Sequence, residues 1–307
     1  MEVLTPRAVP LGGLRAMTVR RTLPQRQRSL IGAWCFVDHY GPDEVDSSGG
    51  MVVPPHPHTG LQTVSWLFTG EVEHRDSAGH HALVRPGELN LMTAGRGISH
   101  SEYSTPDTTV LHGVQLWVAL PDGRRDIEPT FEHFAPEPLD GSGWQARVFL
   151  GTLLGSTSPV RTHTPLLGAE LTLSAGTSVR LPLDPTFEHG LLVDTGDLLV
   201  DGSLLRKDEL GHLPPGTDEL DLHATSPVRL LLLGGRPFGE KIVMWWNFIG
   251  RSHDEVVEHR RQWEVLVEAD GKFDGLESQD RFALADDDPL PPLHAPALPN
   301  ARLVQRG

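Results

Sequence analysis

The sequence predicts an all-β protein made of two tandem β-domains followed by one helix. Glycine and proline, 32 and 26 of 307 residues, make up about a fifth of the chain, as expected where turns join many short strands. Clusters of Gly, Pro, Asp and Ser separate the apolar runs, which is typical of sandwiches and barrels. Because regular strand–helix alternation is missing, a parallel α/β sheet is disfavoured. The predicted strands are Leu61–Phe68, Ala82–Val84, Leu111–Ala119, Arg147–Leu150, Glu170–Leu173, Leu191–Val193 and Arg229–Leu233.

A faint internal repeat predicts the two domains. The run FTGE at 68–71 resembles DTGD at 194–197, and PGEL at 86–89 resembles KDEL at 207–210. The offsets of 126 and 121 residues between these runs indicate two related β-domains that differ by a short deletion.

These patterns set the expected domain limits. We expect an N-terminal domain over residues 1–134 and a second domain over 144–270, with a connecting segment at Phe134–Gly143 that is rich in Pro, Glu and Gly. Residues 271–307 are acidic and proline-rich, which favours an extended tail without a core of its own.

One segment, Ser252–Val267, has the pattern of an amphipathic helix. Ser252 or His253 suits the N-cap, and the acidic residues Asp254 and Glu255 suit the helix dipole. Val256, His259, Trp263 and Val267 fall on one face, so the helix is expected to pack across a sheet. The neighbouring pair Trp245 and Trp246 is expected to lie beneath it or between the domains.

Charge and apolar content exclude several functions. The chain carries 26 Lys and Arg against 41 Asp and Glu, a net charge of −15, which disfavours direct binding of nucleic acid. The longest aliphatic run, Leu230–Leu233, is far shorter than the roughly 18 residues of a membrane span. The N-terminus lacks the pattern of a signal peptide, and the single cysteine, Cys35, forms no intramolecular disulfide. Together these features predict a cytoplasmic protein.

Two short motifs, His56-Pro57-His58 and His100-Ser101-Glu102, carry the chemistry. In a strand, residues i and i+2 point to the same face, so each pair can reach one metal ion. If the two strands lie across from one another, three imidazoles and one carboxylate converge. This donor set suits Fe(II), Ni(II), Mn(II), Co(II) or Cu(II), and a closed structural zinc site is the weaker interpretation because no thiolate is present.

Chance could also produce these motifs, since the chain has 16 histidines. The internal repeat provides a comparison: shifting the first pair by 126 residues gives Pro182 and Asp184, and shifting the second by 121 gives Asp221 and His223. The second domain therefore lacks the quartet. Its remaining histidines, which include His189 and His212, are interpreted as turn or surface residues.

The same segments resemble the pirin family of bicupins. The resemblance rests on HPHTGLQTVSWLFTGEVEHRDSAG at 56–79, MTAGRGISHSE at 92–102, LHGVQLWVALP at 111–121 and GRPFGEKIVMWWN at 235–247. It implies two cupin (jelly-roll) barrels, and iron held in the N-terminal barrel by the residues that match the family's ligands: His56, His58, His100 and Glu102. Gln62 departs from the family, which often has Glu there, and this puts substrate handling or hydrogen bonding around the metal in doubt.

The resemblance implies one enzymatic and one non-enzymatic function. As a quercetin 2,3-dioxygenase, the protein would use Fe(II), or Ni, Mn, Co, Cu or Zn as substitutes, to cleave a flavonol-like enolate with O2, with Glu102 as acid and base. As a non-catalytic iron or redox sensor, it would modulate a partner protein. A cupin isomerase or storage protein is weaker, because no phosphate-binding Lys/Arg cluster lies near the quartet.

Two further positions stay open from sequence. Gln115 either donates a hydrogen bond near the metal or satisfies a buried strand. The run His74-Arg75-Asp76 precedes a turn, and an ion-paired structural role is favoured over catalysis.

Overall fold

The computed structural model describes residues 1–11, 17–269 and 281–307. The first part of the chain contains the strands β1 (Glu2–Leu4), β2 (Arg7–Pro10), β3 (Thr18–Leu23), β4 (Trp34–Glu44), β5 (Val52–His58), β6 (Leu61–Thr69), β7 (Val72–Asp76), β8 (His81–Val84), β9 (Leu89–Thr93), β10 (Ile98–Ser104), β11 (Val110–Ala119) and β12 (Thr130–Phe134). A short helix, α1 (Val45–Ser48), and a 3-10 turn (Asp122–Arg124) lie among them.

The second part contains β13 (Leu139–Gly141), β14 (Trp144–Leu150), β15 (Thr152–Leu153), β16 (Ser156–Thr157), β17 (Leu166–Leu173), β18 (Ser178–Pro182), β19 (Glu188–Thr195), β20 (Leu198–Val200), β21 (Ser203–Leu205), β22 (Leu210–Leu213), β23 (Glu219–Ala224), β24 (Val228–Gly235), β25 (Val243–Trp245), β26 (Phe248–Gly250) and the helix α2 (His253–Glu268). Each of the seven predicted strands lies within an observed strand.

Each half of the chain forms a barrel from a seven-stranded and a four-stranded sheet. In the first barrel the strand orders are β12-β9-β6-β11-β4-β3-β2 and β5-β10-β7-β8, and in the second they are β1-β22-β19-β24-β17-β14-β13 and β18-β23-β20-β21. The predicted all-β architecture of two cupin barrels and a C-terminal helix is confirmed.

The first strand of the chain belongs to the second barrel. Strand β1 pairs antiparallel with β22, so Glu2–Leu4 belongs to a sheet of the second barrel. Strand β13, which falls in the segment expected to connect the domains, pairs with β14 of the second barrel. The limits at 134 and 144 stay predictions.

An apolar interface joins the two barrels. Trp34 and Trp66 of the first barrel and Phe149 of the second are fully buried in one cluster. The Trp34 indole donates to the Gly234 carbonyl at 3.1 Å, and the Trp66 indole donates to the Glu170 carboxylate at 2.7 Å. Since these rings bury a large apolar area and satisfy their N–H groups, they fix the barrels against each other.

The helix begins and packs as the sequence predicts. The Ser252 hydroxyl accepts a hydrogen bond from the Glu255 amide, which caps α2. Val256, His259 and Trp263 are buried, whereas Leu266 replaces Val267 as the fourth buried residue. No helix in the described parts of the chain is long and apolar enough to cross a membrane.

The tail contributes side chains to a core cluster that other elements build. Residues 281–307 contain no strand or helix, but Phe282 and Ala295 are buried in a cluster with Trp263. The acidic, proline-rich composition predicted an extended backbone and overlooked that an extended segment can bury single side chains against existing elements.

The tail also braces the outside of the sheet that carries the two motifs. The Tyr103 hydroxyl donates to the Asp288 carboxylate at 2.6 Å, and the Leu293 amide donates to the Pro55 carbonyl at 2.8 Å. Because Tyr103 lies an odd number of residues from His100, it points to the opposite face of β10, so the tail covers the outer face of this sheet.

Candidate metal centre

The two motifs lie on adjacent antiparallel strands, β5 and β10. His100 is paired with His56, and Ile98 with His58. The turn after β5 needs Gly60, whose φ is +67° and where a Cβ atom would come within 2.6 Å of the Ile249 carbonyl oxygen. A register shift in the pairing between His100 and Glu102 is a bulge of the kind that re-aims side chains at functional sites.

The structure brings three histidines together inside the first barrel. One ligand atom from each of His56, His58 and His100 lies within 4.8 Å of the others. The Nε2 atoms of His58 and His100 are 3.0 Å apart, about the separation of neighbouring ligands on a six-coordinate ion with metal–nitrogen bonds of about 2.1 Å. The three side chains are buried.

The hydrogen bond at the far ring nitrogen of His56 leaves its near nitrogen available to a metal ion. Nδ1 of His56 lies 2.9 Å from the Pro54 carbonyl oxygen, so it carries the proton and Nε2 keeps its lone pair. Nδ1 of His58 has no hydrogen-bond partner in the described structure. Two imidazole nitrogens facing each other at 3.0 Å, with no carboxylate between them, form an arrangement that a cation stabilises.

Burial favours the neutral, ligating form of these rings. It lowers the pKa of His56 from 6.5 to about 4, and it lowers the pKa of His58 and of His100 well below the usual value. A metal site needs unprotonated imidazole, so the residues present fit a divalent ion.

Glu102 lies beside this trio and belongs to an overlapping set. Its carboxylate groups with His74 and His100, again with ligand atoms within 4.8 Å of one another. Glu102 is buried, burial raises the pKa of its carboxyl group, and the Ser65 hydroxyl lies 3.3 Å from Oε1. Its coordination of the same ion as the trio stays a prediction.

His74 and Asp76, for which the sequence favours an ion-paired structural role, lie beside the site. On β7, His74 is paired with Glu102 and Asp76 with His100, so both point into the barrel. Nδ1 of His74 lies 3.2 Å from Nδ1 of His100, and its Nε2 lies 3.2 Å from the Asp76 carboxylate. Asp76 thereby fixes the ring of His74, which in turn accepts the Nδ1 proton of His100. The i, i+2 spacing applied to the other histidines was the signal that could have identified this pair.

Gln115 and Gln62, whose roles the sequence leaves in doubt, both make side-chain hydrogen bonds. Gln115 is buried, and its Oε1 lies 2.9 Å from the Ser65 hydroxyl, which links it to Glu102. Gln62 donates to the Thr93 hydroxyl at 2.9 Å. Since Gln62 and Ser65 are three residues apart on β6, Gln62 points away from the metal-facing side.

A second buried histidine cluster, which sequence spacing did not predict, lies between the barrels. Nε2 of His39 and Nε2 of His112 lie 2.7 and 2.6 Å from the same oxygen of Asp194, and Arg229 donates to the other oxygen at 2.6 Å. The hydrogen bonds from His112 and His39 hold the pKa of Asp194 well below its usual range despite burial. Asp194 is 155 residues from His39 in sequence, so no local pattern could indicate the cluster.

The histidines of the second barrel are more buried than expected. His189 and His212 lie in strands rather than at the surface. His212 hydrogen-bonds to Glu188 at 3.0 Å. Neither residue falls in a candidate metal-binding set among the residues that the structure describes.

Comparison with known proteins agrees with this architecture. The family model for pirin matches residues 16–118, and the model for the pirin C-terminal cupin domain matches residues 168–267. A Pseudomonas aeruginosa protein named "Putative quercetin 2,3-dioxygenase PA1205" is 46% identical over 282 residues, which cover 90% of this chain and 88% of the relative. A pirin-like protein of Caulobacter vibrioides is 34% identical, covering 80% of this chain and 88% of the relative.

A solved structure extends the likeness to three dimensions. The crystal structure of quercetin 2,3-dioxygenase from Acinetobacter baumannii superimposes with a TM-score of 0.89 at 39% identity, covering 98% of this chain and 96% of that chain. The matched models, the similar relatives and the two-barrel fold lead to one conclusion: the chain belongs to the pirin family.

Proposed function

We propose that this protein is a metal-dependent dioxygenase that acts on flavonol-like enolates of the quercetin type. The observation that carries the proposal is the trio of buried imidazoles, whose free nitrogens converge without a counter-ion. Support for the substrate class comes from the relatives, whose names or titles include quercetin 2,3-dioxygenase.

His56, His58, His100 and Glu102 would hold the metal, with Fe(II) as the preferred ion and Ni, Mn, Co, Cu or Zn as substitutes. Three nitrogens and one oxygen suit such an ion and leave two positions of an octahedron open. When bound, the metal would supply Lewis acidity to the enolate. The balanced overall reaction consumes one O2, both atoms of which enter the ring-opened ester, and the enolic carbon leaves with its own oxygen as carbon monoxide.

The residues around the site provide positioning and proton transfer. Glu102 is assigned as the acid and base that takes the proton of the substrate hydroxyl, because it is the buried carboxylate next to His100. Ser65 lies within hydrogen-bonding distance of both Glu102 and Gln115 and limits the rotation of Glu102. His74 and Asp76 hold the His100 ring in the orientation that frees Nε2.

The test is oxygen-dependent loss of quercetin absorbance by anaerobically iron-loaded protein. His56→Ala and Glu102→Gln should abolish turnover, whereas His81→Ala, whose exposed side chain pairs with Glu73, should retain it. Turnover that persists after metal removal or in His56→Ala would refute the proposal.

Absence of turnover despite stoichiometric iron would favour the alternative, a non-catalytic redox sensor that binds a protein. The net charge of −15 suits a basic partner surface. Pull-down experiments with ferrous and ferric protein distinguish the two, because a redox switch requires partners that differ between the two states.

A further inference from the structure

A large cleft lies beside the metal centre, at the junction of the first barrel with the segment after the second. Its volume is about 1330 Å³, and its walls include Phe36 and Trp117 of the first barrel and the hairpin residues Trp245 and Trp246. None of the four proposed metal ligands lines it. The cleft exceeds the roughly 300–1,000 Å³ of ordinary small-molecule sites.

The cleft concentrates positive charge on an otherwise acidic protein. Its cationic lining residues are Arg7, Arg21, Arg26, Arg28, Lys241 and Arg306. The acidic lining residues are Glu188 and Glu240. Among the residues that the structure describes, Arg26, Lys241 and Arg306 are exposed and have no carboxylate partner. An anion that enters the cleft therefore meets cationic groups that no internal ion pair has neutralised.

Aromatic rings form the wall next to these charges. Phe36 and Trp117 stack with ring centroids 4.0 Å apart, and the Arg21 guanidinium covers the Phe36 ring at 4.3 Å. The rings are therefore held rigid, and because both are nearly fully buried they form a firm wall that exposes only its rim to a flat ligand.

Trp246 provides an independent sign of function. It occupies the turn between β25 and β26 with a φ of +51°, a conformation that favours glycine or asparagine in a two-residue hairpin. A bulky residue there carries a strain of about 1–3 kcal/mol, which tends to persist at binding sites. Trp246 packs edge-on against Phe248 at 5.5 Å between ring centroids but is only partly buried, so part of its ring remains exposed in the cleft.

We propose that this cleft binds an aromatic anion, such as a fused-ring carboxylate, at a site separate from the metal centre. The half-buried rings of Trp245 and Trp246 in the hairpin would stack on the ligand, and Arg26 and Lys241 would pair with its charge. The proposal does not depend on the dioxygenase activity, because it requires neither metal nor turnover.

Two contacts join the lining of the cleft to the metal centre. The ring of Trp117, which lines the cleft, lies 5.1 Å from the ring of His58. The hairpin is tied to the loop after β5, because the Ile249 amide donates to the Thr59 carbonyl at 3.1 Å. The cleft is therefore separated from the proposed metal ligand His58 by a single aromatic ring.

The experiment is isothermal titration of the full-length, chelator-treated protein with 2-naphthoate, compared with neutral 2-naphthamide. We expect one naphthoate per chain, a preference of at least about tenfold over the amide, and weaker binding at high salt. The double variant Arg26→Gln, Lys241→Gln should weaken naphthoate binding at least about tenfold. The matched control Lys207→Gln, at an exposed lysine outside the cleft, should leave it unchanged.

Two further variants test whether the ligand binds in the cleft or at the metal centre. Trp246→Asn suits the positive φ, so it should fold normally and still lose about fivefold in affinity. His56→Ala should bind naphthoate as the wild type does. Equal affinity for the amide, no effect of the double variant, or loss of binding in His56→Ala would each overturn the proposal, and the last result would move the ligand to the metal centre.

Discussion

The first barrel contributes to two buried histidine clusters that differ in what faces the imidazole nitrogens. In the metal centre, His58 and His100 point at each other with Nε2 atoms 3.0 Å apart. In the interface cluster, His39 and His112 both point at one oxygen of Asp194.

Burial of histidine and carboxylate together therefore does not define a metal site. In the interface cluster, protons on the two Nε2 atoms occupy the place of an ion, and Arg229 neutralises the carboxylate. In the metal centre, the Nε2 atoms of His58 and His100 face each other with no carboxylate between them, and Glu102 lies to one side. We therefore expect a metal ion at the first cluster and an inter-barrel clamp at the second.

Metal binding should show the strongest change. His100→Ala should lower iron affinity at least about 100-fold, the upper value for loss of an outer hydrogen-bond partner, because it removes a ligand rather than that ligand's support. His112→Ala should leave one iron per chain. Metal content after dialysis checks both variants, and iron loss in His112→Ala with His100→Ala unaffected would reverse the assignment.

The second largest change is expected in the stability that the inter-barrel clamp of His39, His112 and Asp194 provides. Asp194→Asn should lower the free energy of unfolding by about 3–5 kcal/mol, because it leaves the Arg229 charge without its buried partner. Urea unfolding measures this change, and Asp218→Asn, at an exposed position, serves as the control within about 0.5 kcal/mol. A normal midpoint for Asp194→Asn would show that the clamp adds little.

The two clusters should lose their contributions to folding stability in different pH ranges. The folded pKa of His56 is lowered from 6.5 to about 4, so the unfolded imidazole binds a proton first and the metal-free protein loses stability as pH falls through that window. The lowered pKa of Asp194 gives a dependence of the same sign at lower pH: its contribution is fully present above its ordinary pKa and is lost only as pH falls below that value. Urea midpoints of metal-free wild type and His56→Gln across this range test the first part, and equal slopes for both would contradict it.

Substitution of His74 or Asp76, which orient the His100 ring, should have the smallest effect. His74→Ala or Asp76→Asn should weaken iron binding by about 10–100-fold without changing stoichiometry at saturation. The comparison variant is His81→Ala, since the exposed His81 side chain faces away from the trio and pairs with Glu73. Unchanged affinity in His74→Ala would reduce the His74–Asp76 pair to packing.

Much of the site could be predicted because its residues follow strand periodicity. The spacing of His56 with His58 and of His100 with Glu102 gave a common face on each strand, and the structure places β5 against β10. The same rule covers His74 and Asp76, but the nearby turn made an ion pair the preferred interpretation.

The remaining features depend on contacts between distant segments. Asp194 reaches His39 only after the barrels dock, and the tail buries Phe282 through contacts with a helix that is separate in sequence. Strand β1 joins the second barrel because its partner β22 offers a free edge, which no local pattern reports.

Anomalous diffraction at the iron edge from crystals of iron-loaded protein would show which of the two histidine clusters holds the metal. One peak bounded by His56, His58 and His100, with none between His39, His112 and Asp194, is the predicted result. A peak at the interface cluster, or no peak at the trio in protein with verified iron content, would show that the metal centre is assigned to the wrong residues.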